Sequence, residues 1–254
     1  MNELDIAIKA AKEAGKIQMK NFGGQVSRTR KEDGTFVSEV DRKCERLIME
    51  IIKKEFPESS FFGEEYGEHG QGEMKWLIDP LDGTHNYTRG IPIFAASIGM
   101  EKKGELQLGV LHFPLFGQTA VAEKRKGAFL NGKPMKVSET SEIREASIYT
   151  AAQKAQRQDG TFEATIGKIF KEVQDVRIFG AIAFGGLMVA QGSCDAVVAA
   201  KTTPYDVAAL SVIVEEAGGR VTSIDGKKPP YISNCIISNN ALHEKIAAEM
   251  EVPE

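Results

Sequence analysis

The chain has 254 residues and a formal net charge of -4, from 36 acidic and 32 basic side chains. Its 42% hydrophobic and 27% charged residues are typical of a globular protein with a sizeable core, which excludes a fibrous or disordered chain. The small acidic excess provides no general field that would attract nucleic acid or an anionic membrane, so we predict neither as a partner.

The first residues, 1–5, lead directly into a charged amphipathic pattern and lack the basic and apolar regions of a secretory signal. No apolar run approaches the roughly 20 residues that cross a bilayer. We therefore expect a cytoplasmic protein. Three distant cysteines, Cys44, Cys194 and Cys235, form no CxxC pair, which argues against a disulfide framework or a thiolate zinc site.

The first half is predicted to begin with two helices. Apolar residues at helical spacing over residues 4–19 predict an amphipathic helix, which Gly23 and Gly24 end. A second helix is predicted to begin near Ser38, because its hydroxyl can cap the helix together with Asp41 three residues later.

A sheet follows these helices. The short apolar run 76–78 predicts a strand that delivers Asp79 at its end. Residues 94–100, 106–112 and 118–123 have strand-like patterns separated by Gly and Pro, which indicates an antiparallel sheet.

The second half alternates between helix and strand. The pattern predicts helices at 162–173, from Ala183 and after Pro204, with strands at 176–179 and 196–200. We therefore predict an α/β fold of alternating helix and sheet layers. A boundary near 137–147 would divide it into an N-terminal α+β half, 1–140, and a tightly packed C-terminal α/β half, 141–254.

The strongest local motif is Asp79-Pro80-Leu81-Asp82-Gly83-Thr84. Its two carboxylates and the Leu81 carbonyl between them are hard oxygen ligands that suit Mg²⁺, and two ions could share them. If a helix starts here, the N–H groups of Gly83 and Thr84 would cradle phosphate oxygens. The alternative is that Asp-Pro and Asp-Gly only make turns.

Two further acidic elements strengthen the metal interpretation. Glu64 and Glu65 lie in the segment Gly-Glu-Glu-Tyr-Gly at 63–67, just upstream of the motif. Asp206 begins an otherwise apolar helix, where a carboxylate is costly unless it is capped, paired or bound to a cation. An ordinary helix N-cap is the alternative for Asp206.

These three segments, in this order, resemble the signatures of the inositol monophosphatase family, and the resemblance covers nearly the whole chain. The haloacid dehalogenase superfamily also uses an Asp-Gly-Thr element, but one residue separates its two aspartates and here two do. The resemblance implies the inositol monophosphatase (sugar phosphatase-like) fold, two or three Mg²⁺ ions and a homodimer. The implied metal ligands are Glu64, Asp79, the Leu81 carbonyl, Asp82 and Asp206, with Glu65 reaching a weaker metal directly or through water.

The resemblance also implies catalytic roles for Asp41, Glu65 and Thr84. In the family, an aspartate polarises a threonine hydroxyl, which orients water for in-line attack on phosphorus. Asp41 has an alternative role as the capping partner of Ser38. Residues 31–34 match the family's mobile loop, although they also fit a surface turn.

Substrate contacts depart from the inositol-hydrolysing pattern. Family members that act on inositol phosphate place a glutamate seven residues before the late aspartate, and this chain has Ala199 there. Asp195 matches a hydroxyl-contacting carboxylate, with a turn residue as its alternative, and Ala181 makes the pocket element less polar. The candidate substrate-binding residues are Gly83, Thr84, Asp195 and Ala181.

The sequence therefore predicts a Mg²⁺-dependent phosphoric monoester hydrolase that acts on a small polyol or sugar phosphate, with inositol monophosphate first. Histidinol phosphate, fructose 1,6-bisphosphate and a nucleoside bisphosphate stay open as substrates. A non-catalytic metal-binding regulatory protein is the hypothesis from another class. The presence of every expected ligand argues against it.

Overall fold

A computed structural model describes residues 1–24, 28–30, 36–151 and 161–250 of the protein. Its α-helices are α1 (Glu3–Asn21), α2 (Glu39–Glu55), α3 (Thr84–Thr88), α4 (Thr161–Glu172), α5 (Ile182–Ala190), α6 (Pro204–Glu216) and α7 (His243–Met250). Its strands are β1 (Arg28–Arg30), β2 (Phe36–Ser38), β3 (Ser60–Gly63), β4 (Gly67–His69), β5 (Met74–Asp82), β6 (Ala95–Lys102), β7 (Glu105–Phe113), β8 (Gln118–Glu123), β9 (Ala128–Leu130), β10 (Lys133–Pro134), β11 (Ser147–Ala151), β12 (Asp175–Arg177), β13 (Ala196–Ala199), β14 (Gly219–Ser223) and β15 (Cys235–Asn239).

The first large sheet has eight strands in the order β10-β9-β8-β7-β6-β5-β3-β4. The three predicted antiparallel strands correspond to β6, β7 and β8, and they do pair antiparallel. The pair β3–β5 is parallel, with Gly63 opposite Ile78. Because parallel strands end at the same edge of a sheet, the residues that follow Gly63 and Ile78 come together there.

The second sheet has five strands in the order β12-β11-β13-β15-β14. Strands β12, β11 and β13 run parallel, β15 pairs antiparallel with β13, and β14 pairs antiparallel with β15. The predicted strand at 176–179 is a three-residue edge strand that starts one residue earlier and ends at Arg177.

The helices and sheets form five alternating layers. Helices α1 and α2 cover one face of the eight-stranded sheet, where Ile6, Cys44 and Trp76 are among the buried residues. Helices α5 and α6 lie between the two sheets, and α4 and α7 cover the outer face of the second sheet. The predicted α/β class of alternating layers is thus confirmed.

Helix α6 lies directly on strands β6 and β7. A Cβ atom at Gly109 would be 2.2 Å from the carbonyl oxygen of Ala209, and one at Gly99 would be 2.6 Å from the Cβ of Ala208. Only glycine allows this close approach, because any side chain at either position would push the helix away. The approach brings the start of α6, with Asp206, toward the end of β5.

The two predicted halves share one core. Strands of the first sheet end at Pro134 and those of the second begin at Ser147, but α5 and α6 pack on both sheets. The division into 1–140 and 141–254 stays a prediction, and the loop at 31–34 lies outside the described residues. No helix in the described ranges is long and apolar enough to cross a membrane. All three cysteines are buried and free.

Candidate active site

The motif at 79–84 is an interruption at the end of β5. Strand pairing with β6 shifts register between Asp79 and Asp82, which is a β-bulge that turns the backbone out of the ladder. The Leu81 side chain is buried in the core, and its N–H donates to Oδ1 of Asp79 at 3.0 Å. Gln18 of α1 fixes the position of the bulge, because its Nε2 donates to the Pro80 carbonyl at 2.8 Å.

Asp82 joins the bulge to helix α5. Its Oδ2 accepts from the N–H of Ala183 at 2.8 Å, and its Oδ1 accepts from the N–H of Ile182 at 3.2 Å. The first N–H groups of a helix have no partner within the helix, and the helix dipole favours a negative charge there. Asp82 therefore caps α5.

The Glu64–Glu65 turn follows β3 at the same sheet edge. The N–H of Glu64 donates to the Ile78 carbonyl at 3.1 Å, which places Glu64 beside the start of the bulge at Asp79. A carboxylate of α2, Glu45, binds the next two N–H groups, those of Glu65 and Tyr66.

Asp206 approaches the bulge from the start of α6. Thr203 is the N-cap of this helix, and its N–H and Oγ1 donate to Oδ2 of Asp206 at 2.7 and 2.8 Å. Asp206 is therefore the third-residue partner of a capping box rather than the N-cap itself. The neighbouring Tyr205 ring packs edge-on against Phe62 of β3, with 5.7 Å between centroids.

Burial and the neighbouring carboxylates raise the pKa of Asp79 and Asp82. Burial raises the pKa of Asp79 well above its ordinary value, and the charges of Glu64, Asp82 and Asp206 raise it further. Burial raises the pKa of Asp82 to about 7 against its two helix hydrogen bonds, with Asp206 and Glu64 adding repulsion. A divalent cation would relieve this repulsion.

The donor set fits a hard divalent cation, because every donor is an oxygen and most carry negative charge. Within the part of the chain that the structure describes, no three His, Cys, Asp or Glu side chains are already closed around one point. The carboxylates of Asp82 and Asp206 face the N–H groups of α5 and Thr203 instead. Cation binding therefore requires some side-chain rotation.

Asp41 and Thr84 form the second part of the site. Oδ2 of Asp41 accepts from the N–H of Ser38 at 2.9 Å and from the Ser38 hydroxyl, which is the predicted capping box. Oδ1 accepts from the Thr84 hydroxyl at 2.8 Å. Burial raises the pKa of Asp41, although the hydrogen bonds from Ser38 and Thr84 oppose the rise. The capping box and the hydrogen bond to Thr84 thus coexist at Asp41.

Gly83 and Ala181 lie side by side next to the bulge. Gly83 has a φ of +86°, and a Cβ there would be 2.8 Å from the Ile93 carbonyl and 3.2 Å from the Cβ of Ala181. Glycine alone tolerates this combination. The following helix α3 has only five residues, so its dipole is weaker than that of a long helix. The predicted phosphate cradle at Gly83 and Thr84 would therefore gain little from it.

Asp195 does not join the cluster. Its two carboxylate oxygens accept from the Ser138 hydroxyl at 2.5 Å and from the Ser147 N–H at 2.7 Å. It precedes β13, whereas Ala199 ends that strand, roughly 13 Å away at about 3.3 Å per residue, and Asp206 comes after it. The assignment as a substrate contact stays a prediction; in the structure, Asp195 ties the segment at 138 to the second sheet.

Sequence reasoning missed three contributors to the site, namely Glu45, Gln18 and Tyr205. Glu45 is four residues after Asp41 on the same helix face, and that spacing was its only signal. Tyr205 stands beside Asp206 in the late motif, but its packing on Phe62, like the bond from Gln18 to Pro80, joins segments far apart in the sequence.

A layered fold with a buried, all-oxygen acidic cluster at the junction of its sheets, beside an aspartate–threonine pair, defines a phosphoric monoester hydrolase. The chain belongs to the inositol monophosphatase family, whose sequence profile it matches over residues 2–252. Enzymes of this family are metal-dependent.

Relatives and solved structures agree with this placement. The chain is 35% identical to a fructose-1,6-bisphosphatase/inositol-1-monophosphatase of Thermotoga maritima, covering 97% of this chain and 94% of that protein. It is also 35% identical to a histidinol-phosphatase of Chlorobaculum parvum, covering 97% and 95%. A solved Thermotoga maritima IMPase superposes with a TM-score of 0.90 at 33% identity, covering 98% and 97%.

Proposed function

We propose that the protein hydrolyses the phosphate ester of a small polyol or sugar in a Mg²⁺-dependent reaction, with inositol monophosphate as the first candidate substrate. One observation carries the proposal. Glu64, Asp79, Asp82 and Asp206 come from three distant segments, and the charges of Glu64 and Asp206 raise the pKa of the buried Asp79 and Asp82. A protein keeps such repulsion where a cation balances it.

Two or three Mg²⁺ ions would be held by this cluster. The ligands would be Glu64, Asp79, the Leu81 carbonyl, Asp82 and Asp206, with Glu65 at a weaker ion. When bound, such ions lower the pKa of water and neutralise negative charge on the phosphoryl group and the leaving oxygen. Oxygen-only donors favour Mg²⁺ over zinc or copper.

Thr84 and Asp41 would direct the attacking water. Oδ1 of Asp41 takes the Thr84 proton in a hydrogen bond, which leaves a lone pair of the Thr84 oxygen to accept a proton from water. The water oxygen is thereby aimed at phosphorus, and the proton passes through Thr84 to a buried carboxylate whose raised pKa makes it a better acceptor.

Fructose 1,6-bisphosphate is a second candidate substrate. Relatives from Thermotoga maritima and Aquifex aeolicus, 35% and 38% identical to this chain, are both described as fructose-1,6-bisphosphatase/inositol-1-monophosphatase. The alanines Ala181 and Ala199 offer no polar group to a ring hydroxyl, which fits a pocket that accepts more than one substrate. We also propose a homodimer, which light scattering would test.

The decisive experiment measures phosphate release from inositol 1-phosphate, fructose 1,6-bisphosphate, histidinol phosphate and a nucleoside 3′,5′-bisphosphate, each with Mg²⁺ and with chelator. Mg²⁺-dependent release from one ester, lost in Asp82→Asn and kept in the exposed helix variant Glu50→Gln, supports the proposal. Mg²⁺ binding without release from any ester favours the non-catalytic metal-binding protein instead.

A further inference from the structure

Helix α2 carries a second buried carboxylate one turn beyond Asp41. Glu45 is 0% exposed, and its position four residues later puts it on the same face of the helix. Its Oε2 accepts from the Glu65 N–H at 2.8 Å, and its Oε1 accepts from the Tyr66 N–H at 3.0 Å. Both oxygens therefore bind the backbone of the Glu64–Glu65 turn.

The chain before Glu64 is shaped to receive this carboxylate. A Cβ atom at Gly63 would be 1.9 Å from Oε1 of Glu45, so a side chain there would displace the Glu45 carboxylate. The Glu45 carboxylate thus contacts the turn on both sides of Glu64. Since α2 is rigid, the rise of about 6 Å over four residues sets the spacing between this turn and the Asp41–Thr84 pair.

We propose that Glu45 is a positioning residue that fixes the Glu64–Glu65 turn for cation binding. The inference rests on the proposed Mg²⁺ site. The proposal assigns Glu45 to the backbone of the turn and not to the set of cation ligands. A neutral amide at this position has one acceptor atom instead of two, so it cannot keep the present geometry, in which each N–H donates to its own oxygen. The competing explanation is an anchor that contributes to stability alone.

The test measures Mg²⁺ binding itself, by calorimetric titration with the metal alone and by the Mg²⁺-induced rise in melting temperature. Loss of a residue that orients a metal ligand typically weakens metal affinity about 10–100-fold. We expect Glu45→Ala to reach the upper part of that range and Glu45→Gln the lower part. Glu50→Gln, an exposed carboxylate on the same helix, is the matched control and should bind as wild type.

Kinetics separates positioning from general damage. In the Glu45 variants the half-saturating Mg²⁺ concentration should rise by the same factor, while KM for the substrate ester at saturating Mg²⁺ stays unchanged. A stability anchor alone would lower the melting temperature equally with and without Mg²⁺.

Gly63→Ala provides an independent variant, because its Cβ displaces the Glu45 carboxylate without removing it. This variant should weaken Mg²⁺ binding as Glu45→Ala does, and the double variant should be no weaker than either single one. If Glu45→Ala does not fold, Glu45→Gln and Gly63→Ala decide the question.

Wild-type Mg²⁺ affinity in Glu45→Gln and Gly63→Ala would overturn the inference. If Asp82→Asn nevertheless loses Mg²⁺ binding in the same assay, the proposed function survives. If Asp82→Asn also binds as wild type, the proposed cation site itself is wrong.

Discussion

The Thr84 hydroxyl lies between two acceptors, 2.8 Å from Oδ1 of Asp41 and 3.0 Å from the carbonyl oxygen of Leu81. A hydroxyl has one proton, so it donates to only one of them at a time. When the Leu81 carbonyl serves as a cation ligand, Asp41 is left as the acceptor. Cation binding and alignment of Thr84 are therefore coupled through one proton.

Replacing Asp41 by Asn should reduce kcat about 10²–10⁴-fold, the usual contribution of a positioned proton acceptor. The Asn side-chain oxygen can still accept from the Ser38 N–H at the start of α2, so the loss of stability should be limited to about 1 kcal/mol. Steady-state kinetics at saturating Mg²⁺ and urea unfolding check both parts.

The matched pair for this prediction is Thr84→Ser, which keeps the hydroxyl, and Thr84→Val, which removes it at similar volume. Thr84→Ser should retain most activity and Thr84→Val should resemble Asp41→Asn. Equal activity in the two Thr84 variants would rule out the proposed proton path.

Mg²⁺ binding should weaken as pH falls. The pKa of Asp82 is raised to about 7, so below that pH a proton competes with the metal. Between pH 8 and 6 we expect the apparent Mg²⁺ affinity to fall by roughly 10-fold for each proton displaced, measured by calorimetry.

The same raised pKa values set the stability of the ion-free protein. Because the folded pKa of Asp79 and Asp82 exceeds the unfolded one, ionisation costs stability as pH rises from about 4 to 7. Mg²⁺ at 100 times its Kd should restore about 2.7 kcal/mol at neutral pH. Asp79→Asn should raise the melting temperature without Mg²⁺ and abolish the response to it. An unchanged Mg²⁺ response in this variant contradicts the cluster.

Gly109→Ala should destabilise the fold by about 1–3 kcal/mol, because the new methyl group forces α6 away from β7. Displacing α6 also moves Asp206, so activity should fall further than stability alone explains. Gly167 of α4 is the contrast, since a Cβ there meets nothing within 4 Å. Gly167→Ala should stabilise the helix by about 0.5–1 kcal/mol. Urea unfolding of both variants measures the difference, and similar effects would argue against the close approach.

His243 should make stability depend on pH in the acid range. Burial lowers its pKa to about 4, and the charge of Arg220 adds to the decrease. The Thr222 hydroxyl donates to the Ser223 carbonyl at 2.7 Å, so the Nε2–H of His243 donates to Thr222 and Nδ1 accepts from Ser238. A proton on Nδ1 would break that arrangement.

Because the folded pKa is below the unfolded value of about 6.5, this contribution is present above pH 6.5 and is lost as pH falls toward 4. We expect wild type to lose roughly 2 kcal/mol more than His243→Gln between pH 7 and 4.5. Urea unfolding of both proteins across this range isolates the histidine from the carboxylates, which titrate in both. Parallel pH profiles would show that His243 does not titrate in this way.

Local patterns in the sequence were sufficient for helices α1, α2, α4, α5 and α6, the strand before Asp79 and the capping box of Ser38 and Asp41. Such features depend on residues within a few positions of one another. Two features could not be predicted from periodicity, because they depend on residues far apart in the sequence. These are the parallel pairing of β3 with β5 and the close packing of α6 against Gly109.

The site shows the same division. Motif order identified the acidic segments, but it could not predict the partners of Asp195, because Ser138 and Ser147 lie about 50 residues earlier in the chain. The role of Glu45 was not predicted, because only the fold shows that its side chain is buried against the Glu64–Glu65 turn.

The bonds from Asp82 to Ile182 and Ala183 join residues 100 positions apart. A chain whose two sheets have folded but not yet docked leaves Asp82 without these partners and the cluster without Asp206. Enzymatic activity therefore requires that both sheets are folded and docked. If the chain is divided into two fragments, one for each sheet, neither fragment should be active alone. Activity should return only when the two fragments reassemble.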